Sequence, residues 1–174
     1  ATGRSRLPFT QRTDSPASHP LGATLVQKER NPVPTITADL TNGFQVDIKA
    51  GAHTWRADEP VDLNGTDTGP TPYELMLGAL AACTCITLSM YAQRKSIAVT
   101  SISAQFTYDK VHAEDCTFCH DDDKGFVDAA TSEIFIEGTF SDEERARLEE
   151  VAVRCPVHKT LERGIRFDEQ VFVG

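Results

Sequence analysis

The segment from Pro72 to Lys95 constrains the fold more than any other part of the sequence. Drawn as a helix, it carries apolar residues on nearly every side, at Leu75, Leu77, Leu80, Ala81, Ala82, Ile86, Leu88, Met90 and Tyr91. Pro72 and Glu74 both suit the first turn of a helix. A helix that is apolar all round must be covered on all sides. One small sheet cannot provide that cover, so the sequence predicts a homodimer that buries this helix between two sheets.

Short segments with strand character surround this helix. Thr35–Leu40 and Phe44–Ile48 alternate apolar with polar residues and flank Thr41-Asn42-Gly43, an Asn-Gly signal for a hairpin. Further strands are expected at Ala23–Arg30, His53–Ala57, Ser96–Tyr108, Glu133–Gly138 and Ile165–Val173. Residues 58–72 are rich in Pro, Gly and acidic residues and are expected to form a loop.

Two further helical segments follow near the end of the chain. Ser141-Asp142-Glu143-Glu144 has the pattern of a capping box, which predicts a helix starting after Ser141. Cys155-Pro156 marks a break, because proline disfavours helical geometry in the residue before it. A new helical turn is expected from Pro156 to Gly164. Strands, a buried helix, strands, a helix and a strand in this order indicate an α+β fold.

Length and charge define the organisation of the chain. The 174 residues suit one domain, expected at residues 23–174, with a flexible N-terminal tail at residues 1–22 and a polar, cysteine-bearing insertion at residues 109–131. The net charge of −9 argues against nucleic acid as a partner. No segment is expected to span a membrane, and the N-terminus lacks the apolar core of a secretory signal. We therefore expect a cytoplasmic protein.

The five cysteines point to thiol chemistry. They are Cys83, Cys85, Cys116, Cys119 and Cys155. An odd number in a chain of this size argues against a secreted disulfide scaffold and fits catalysis, redox cycling or metal binding in a reducing compartment. A helix dipole favours the thiolate of a cysteine at a helix N-terminus, which is where Cys155 is expected. The alternative for Cys83 is simple packing, because free cysteines are commonly buried.

Two motifs resemble those of a known family. Gly69-Pro70-Thr71-Pro72-Tyr73-Glu74-Leu75, followed by Gly78-Ala79-Leu80-Ala81-Ala82-Cys83, is similar to the central-helix signature of the OsmC/Ohr family. Arg154-Cys155-Pro156-Val157-His158-Lys159-Thr160-Leu161 resembles the segment of its second cysteine. The resemblance covers roughly residues 36–173 and extends to an OsmC-like branch that carries a paired-cysteine insertion. It implies antiparallel sheets wrapped around a buried central helix, in an intertwined homodimer with active sites at the subunit interface.

The resemblance also implies an activity, the reduction of organic hydroperoxides at the expense of a dithiol reductant. Cys83 would attack the peroxide, and Cys155 would close a disulfide with it, without a cofactor. Cys85 points about 200° away from Cys83 on a helix and is assigned to packing. An Arg and a Glu assist in the best-studied branch of the family. The position of that Glu is occupied here by Tyr73, with Glu74 one residue later, so a donor role for Tyr73 and a capping role for Glu74 stay open.

Two further residues are candidates for the same site. Arg56 is the candidate for the activating arginine, with a solvated charge at a strand end as the alternative. His158 lies one turn beyond Cys155, where it would either help to deprotonate this thiol or form a hydrogen bond at the surface.

The insertion carries a second group of potential ligands. Cys116 and Cys119 are spaced like a zinc knuckle, and His112 and His120 lie close enough in sequence to complete four ligands. A disulfide, a redox-active dithiol and a metal-free loop are the alternatives. Two other functions therefore compete with the peroxidase: a metal-handling module that uses this loop, and a carrier of apolar ligands in the interface cleft.

Overall fold

The computed structural model describes residues 35–120 and 122–174, and it has the α+β architecture that the sequence predicts. The elements in chain order are β1 (Ile36–Asn42), β2 (Gln45–Ala50), β3 (His53–Ala57), α1 (Pro72–Lys95), β4 (Ala98–His112), β5 (Phe126–Thr139), α2 (Asp142–Ala152) and α3 (Pro156–Arg163). The expected tail at residues 1–22 and the expected strand Ala23–Arg30 lie outside the described residues.

The first three strands form an antiparallel sheet in the order β1-β2-β3. The Asn-Gly signal locates the first hairpin, but β1 continues through Asn42 and the turn falls on Gly43 and Phe44. Gly43 adopts φ +54°, a left-handed geometry that glycine tolerates best. An irregularity in the pairing between Leu40 and Asn42 shifts the register at this point. Strand β1 is exposed along its whole length, so within one chain this sheet lacks cover on that side.

Helix α1 begins and ends where local signals place it. Thr71 is its N-cap and forms a complete capping box with Glu74, and Pro72 follows directly. Ser96 ends it in the left-handed conformation. The helix is not buried on all sides within one chain. Leu80, Thr84, Leu88 and Ala92 form a buried stripe, while Ala82, Ile86 and Met90 on the opposite side are exposed.

Strands β4 and β5 form one long antiparallel hairpin that extends into the expected insertion. The predicted insertion at residues 109–131 therefore includes the ends of both strands. Strand β4 continues to His112 and β5 begins at Phe126, so only residues 113–125 connect them. Alternating positions such as Ile102, Ile134 and Ile136 face α1 and complete its core.

The core of the described chain lies between α1, α2 and this hairpin. Leu88 and Leu148 are its largest fully buried apolar side chains, with Ala92 and Ile97 beside them. Helix α2 has the capping box expected at Ser141 and Glu144, with both hydrogen bonds formed. Helix α3 follows after Cys155 and contacts α1.

The expected closing strand Ile165–Val173 does not form in the single chain. Residues after Gly164 have no regular secondary structure, and the side chains of Phe167, Phe172 and Val173 are largely exposed. The alternation typical of a strand is present, but a strand exists only where another strand accepts its hydrogen bonds. No strand of the described chain does so.

The expectation that no segment spans a membrane rests on the contacts of α1 and not on its length and composition. Helix α1 is long and apolar enough to cross a membrane by these two measures. Its contacts are nevertheless those of a core helix, because it packs against β4, α2 and α3 and buries a stripe of side chains between them.

Candidate active site at two cysteines

Cys83 lies near the middle of α1 as a free, half-buried thiol. At about 100° per residue, Cys83 and Cys85 flank the buried stripe of the helix on opposite sides, so they cannot face the same cleft. The nearest exposed neighbours of Cys83 around the helix belong to the stripe of Ile86 and Met90. A molecule that covers this stripe would therefore also cover Cys83.

Cys155 occupies the N-cap of α3 and is a free thiol with no exposed surface. Its Sγ accepts a hydrogen bond from the backbone N–H of His158 at 3.2 Å. This is the geometry of an N-cap, in which a side-chain atom accepts one of the free N–H groups of the first helical turn. Because α3 packs on α1, the structure places the helices of Cys83 and Cys155 side by side with both thiols unbonded.

The imidazole of His158 contacts a carboxylate of its own helix. Its Nε2 lies 3.4 Å from Oε1 of Glu162, one turn further along α3. The contact between His158 and Cys155 is thus made by the backbone, and the surface interaction is the one that the side chain makes in this structure.

Glu74 serves as a helix cap. Its Oε2 accepts a hydrogen bond from the backbone N–H of Thr71 at 2.7 Å, and the hydroxyl of Thr71 accepts one from the N–H of Glu74. Cys83 lies nine positions after Glu74 on the same helix, which corresponds to about 13 Å along the axis. Within one chain the structure therefore does not bring this carboxylate to the thiol.

Tyr73 lies at the same end of α1 and is equally remote from Cys83 in its own chain. Its ring stacks on that of Tyr108 in β4, with the ring centres 4.6 Å apart. The Tyr108 hydroxyl donates a hydrogen bond to Oδ1 of Asp128 at 2.6 Å, and this bond raises the pKa of Tyr108 well above its ordinary value. The N-terminus of α1 is thereby tied to the long hairpin.

Arg56 forms an ion pair with β2. Its guanidinium donates two hydrogen bonds to the carboxylate of Asp47, at 2.7 and 3.0 Å, and these bonds hold the pKa of Asp47 below its ordinary value. Both side chains are about half exposed. Arg56 is thus a paired charge near the end of its strand, and a role in activating the thiol requires it to exchange or share this partner.

Asp58 is a buried carboxylate at the start of the loop predicted for residues 58–72, and its burial was not predicted from the sequence. It is 2% exposed and accepts five hydrogen bonds, one from the N–H of Glu59 and two each from Thr66 and Thr68. The hydroxyl of Thr66 is the main cause of a pKa far below the ordinary value. A Cβ at Gly65 would lie 1.7 Å from the carbonyl oxygen of Glu59, so this closed loop also requires glycine.

This clamp positions the start of the central helix. The N–H of Asp58 donates to the carbonyl of Pro70 at 3.2 Å, directly before the N-cap Thr71. The signal in the sequence was an Asp followed by two threonines at the end of a loop rich in turn residues. Such hydroxyls and backbone N–H groups can enclose a carboxylate, but the sequence alone does not indicate which acid they will surround.

Cys116 and Cys119 are joined by a disulfide in the loop between β4 and β5. Bonded sulfurs cannot act as thiolate ligands, and the described residues contain no group of three or more His, Cys, Asp or Glu side chains suited to hold a metal. His112 lies 3.7 Å from Glu114 and packs edge-on against Phe126. The residues present do not fit the zinc site, and the disulfide alternative is the one observed.

A cleft of about 830 Å³ lies at the other end of α1. Its lining includes Tyr91, Lys95, Glu144, Arg147 and Arg154, so it is mostly charged and contains neither Cys83 nor Cys155. An enclosed apolar pocket beside Cys83 would thus require a surface that this single chain does not provide.

Comparisons with known proteins find a family model and several solved structures that are similar to this chain. The family model described as OsmC-like protein matches residues 65–170. An OsmC-like protein from Mycoplasma pneumoniae is 23% identical, with a TM-score of 0.59 over 76% of this chain and 89% of its own. The organic hydroperoxide resistance protein OsmC from Legionella pneumophila is 18% identical, with a TM-score of 0.54 over 76% and 91%.

A further structural match carries no functional description. An OsmC-like protein of unknown function from Vibrio cholerae is 9% identical, with a TM-score of 0.54 over 74% of this chain and 93% of its own. No curated protein matches the chain. At these identities, the structural matches establish a shared fold.

Proposed function

The chain belongs to the OsmC-like protein family, and from that premise we propose that it reduces organic hydroperoxides with Cys83 as the attacking thiol and Cys155 as the resolving thiol. The observation that carries the proposal is the state of Cys155. A fully buried free thiol caps α3, accepts an N–H hydrogen bond, and lies on a helix packed against the one that carries Cys83.

The reaction proceeds in three balanced steps. The Cys83 thiolate attacks one oxygen of the hydroperoxide, so that an S–O bond forms, the O–O bond breaks, and the alkoxide takes a proton and leaves as an alcohol. Cys155 then attacks the resulting sulfenic acid, which forms the disulfide and releases water. A dithiol reductant opens this disulfide by exchange and is itself oxidised to a disulfide. The cysteine sulfurs carry both electrons, so the cycle requires no cofactor.

The environment of Cys155 suits the second step. The sulfur accepts a backbone N–H at the N-terminus of α3 and is thereby held in the geometry of a helix cap. The burial of Cys155 protects it from direct oxidation by peroxide, because sulfenic and higher sulfur acids form readily only on accessible thiolates. The half-buried Cys83 is the more accessible of the two, which supports its assignment as the thiol that meets the substrate.

A homodimer is the form in which we expect the enzyme to act. The single chain leaves apolar side chains uncovered on several elements, among them Ile86 and Met90 on α1, Ile36 and Leu40 on β1, and Phe172 in the C-terminal segment. Exposed apolar patches commonly mark interfaces between proteins. A second copy that covers α1 would enclose Cys83 and could supply an unused strand partner for residues 165–173.

In such a dimer, the assisting residues of one copy would act on the thiol of the other. Glu74 and Tyr73 are too far from Cys83 along their own helix, so any contact with the reacting sulfur must come from the partner copy. The Legionella relative is described as an organic hydroperoxide resistance protein, which supports the same substrate class here. An apolar interface beside Cys83 favours alkyl hydroperoxides over hydrogen peroxide. We place the enzyme in the cytoplasm, where dithiol reductants keep thiols reduced.

Single cysteine variants provide the decisive experiment. Steady-state reduction of an alkyl hydroperoxide with a dithiol donor should be lost in Cys83→Ser and retained in Cys85→Ser, the matched control two residues along the same helix. Cys155→Ser should keep the first turnover and accumulate a sulfenic acid on Cys83 that a dimedone probe traps. Serine is a good N-cap residue, so this variant keeps the start of α3 intact. Undiminished turnover by Cys83→Ser would refute the proposal.

A further inference from the structure

The disulfide between Cys116 and Cys119 has no part in the peroxide cycle. It lies in residues 113–125, the loop that joins the two longest strands of the chain. Only Thr117 and Phe118 separate the two cysteines, and the sulfurs close a small ring within the loop. Both cysteines are half-buried, whereas Phe118 between them is 59% exposed. A reagent from solution can therefore approach this bond.

The β4-β5 hairpin separates this disulfide from the peroxidatic thiol in the same chain. Tyr108, which stacks on the start of α1, and Ile102, which packs on its core, point to one face of the hairpin. Thr107, Asp109 and Val111 point to the other face, because side chains alternate along a strand. These residues line a cavity with Cys116. The disulfide loop and α1 thus lie on opposite faces of the hairpin, so Cys83 cannot attack this bond directly.

The cavity beside Cys116 has the size of a side chain. Its volume is about 150 Å³, well below the roughly 300 Å³ at which pockets begin to hold ligands of drug size. Phe118 and Thr117 form part of its wall, and Ala129 lies at its base on β5. It offers room for the thiol-bearing chain of an exchange partner next to one of the two sulfurs.

The charge around the disulfide is strongly negative. Five acidic residues precede or follow the pair in the loop sequence: Glu114, Asp115, Asp121, Asp122 and Asp123. Lys124 is the one lysine of this loop, which contains no arginine. Glu114 and Asp115 are exposed directly before Cys116. Such a field repels anionic thiols and attracts cationic ones over distances of about the Debye length.

We propose that Cys116 and Cys119 form a second redox site, which opens and closes by thiol–disulfide exchange with external dithiols and discriminates against anionic thiols. In the opening step, a thiolate of the dithiol attacks one sulfur, and a mixed disulfide forms as the other cysteine leaves as a thiolate. The second thiol of the reductant then attacks the mixed disulfide, so that the pair gains two electrons and two protons while the reductant becomes a disulfide.

The distribution of lysines and arginines allows the site to be followed in the unmodified protein. Trypsin places this pair in the peptide of residues 111–124, Cys83 and Cys85 in residues 57–94, and Cys155 in residues 155–159. Differential alkylation followed by mass spectrometry therefore reports each redox site separately. With dithiothreitol in native buffer, the 111–124 peptide should change fully from the bonded to the doubly alkylated form, and oxidised dithiothreitol should reverse the change.

A variant that lacks the other thiols makes the test independent of the proposed peroxidase. The triple variant Cys83→Ser, Cys85→Ser, Cys155→Ser should cycle to the same extent, with far-ultraviolet circular dichroism confirming its fold. If the bond opens only in denaturant, it is a structural disulfide and the proposal is wrong. Loss of cycling in the triple variant alone would show that the electrons pass through Cys83, Cys85 or Cys155, and would overturn the proposal equally.

Two small thiols of opposite charge test the selectivity. Cysteamine is cationic and 3-mercaptopropionate is anionic, and the rate at which each opens the bond is divided by its rate toward an uncharged model disulfide. The ratio of these corrected rates, cysteamine to 3-mercaptopropionate, should be roughly ten or more at low ionic strength. The ratio should fall toward one in high salt. A ratio of one at low salt would contradict the role assigned to the acidic residues. Glu114→Gln combined with Asp115→Asn should reduce the ratio while leaving the bond reversible.

Discussion

Replacement of Ile86 tests the uncovered stripe of the central helix most directly. In the single chain this side chain is 59% exposed although it lies on the helix that carries Cys83. If the chain acted as a monomer, Ile86→Ser would change little, because exposed surface substitutions usually have small effects on stability. If a second copy covers the stripe, the same replacement removes apolar surface from an interface.

The magnitude follows from the exposed fraction. Complete burial of an isoleucine side chain is worth about 1.5–3 kcal/mol, so cover of the part still exposed is worth about 1–2 kcal/mol. A symmetric dimer contains this residue twice. With about 1.4 kcal/mol for each factor of ten, the dissociation constant of the dimer should rise roughly 30- to 700-fold in Ile86→Ser.

Sedimentation equilibrium over a range of protein concentrations measures this constant. Val153→Ser is the matched control, because Val153 is also 59% exposed but lies at the end of α2, away from the stripe. The peroxidase activity of Ile86→Ser should fall at low enzyme concentration and recover as concentration rises. The reasoning would be refuted if the wild-type protein were a monomer at micromolar concentration, or if the wild-type protein and Ile86→Ser had the same dissociation constant.

Three further predictions concern stability and the helix cap. Leu88→Ala should lower the free energy of unfolding by about 3–5 kcal/mol in urea, because this fully buried leucine leaves a cavity in the core. The pKa of Asp58 is lowered, so its ionised form stabilises the fold above the unfolded pKa of about 4, and this stabilisation is lost as pH falls from about 5 toward the folded pKa. Asp58→Asn should therefore make the urea midpoint less dependent on pH between about 5 and 2. Glu74→Gln should keep the capping box and most of the peroxidase activity, because glutamine can also accept the hydrogen bond from Thr71. Glu74→Ala removes this bond and should cost roughly 0.3–1.5 kcal/mol of stability. If Glu74→Gln lost turnover without losing stability, the carboxylate would have a chemical role.

The two capping boxes show how far local sequence can be trusted. Thr71 with Glu74 and Ser141 with Glu144 fix the starts of α1 and α2 through hydrogen bonds between residues three apart. Cys155-Pro156 fixed the start of α3 in the same way. Each of these signals involves neighbours in the chain, so it acts before distant segments meet. The positions of Cys83 and Cys155 on their helices could therefore be read directly from the sequence.

The closing strand and the insertion show the opposite case. Residues 165–173 alternate as a strand should, yet no strand of the described chain pairs with them. Residues 109–112 and 126–131 belong to strands because they pair with each other across the long hairpin, and no local preference in the sequence predicts this pairing.

The sequence by itself determined the helices, most of the strands, the family motifs and the two thiols on their helices, because periodicity, caps and proline act over a few residues. Only the tertiary structure decided which side of α1 is covered, which threonines enclose Asp58, and that Cys116 pairs with Cys119 on the face of the hairpin opposite α1. These outcomes depend on contacts between residues that are far apart in the sequence, and such contacts contribute to stability only when the chain has folded.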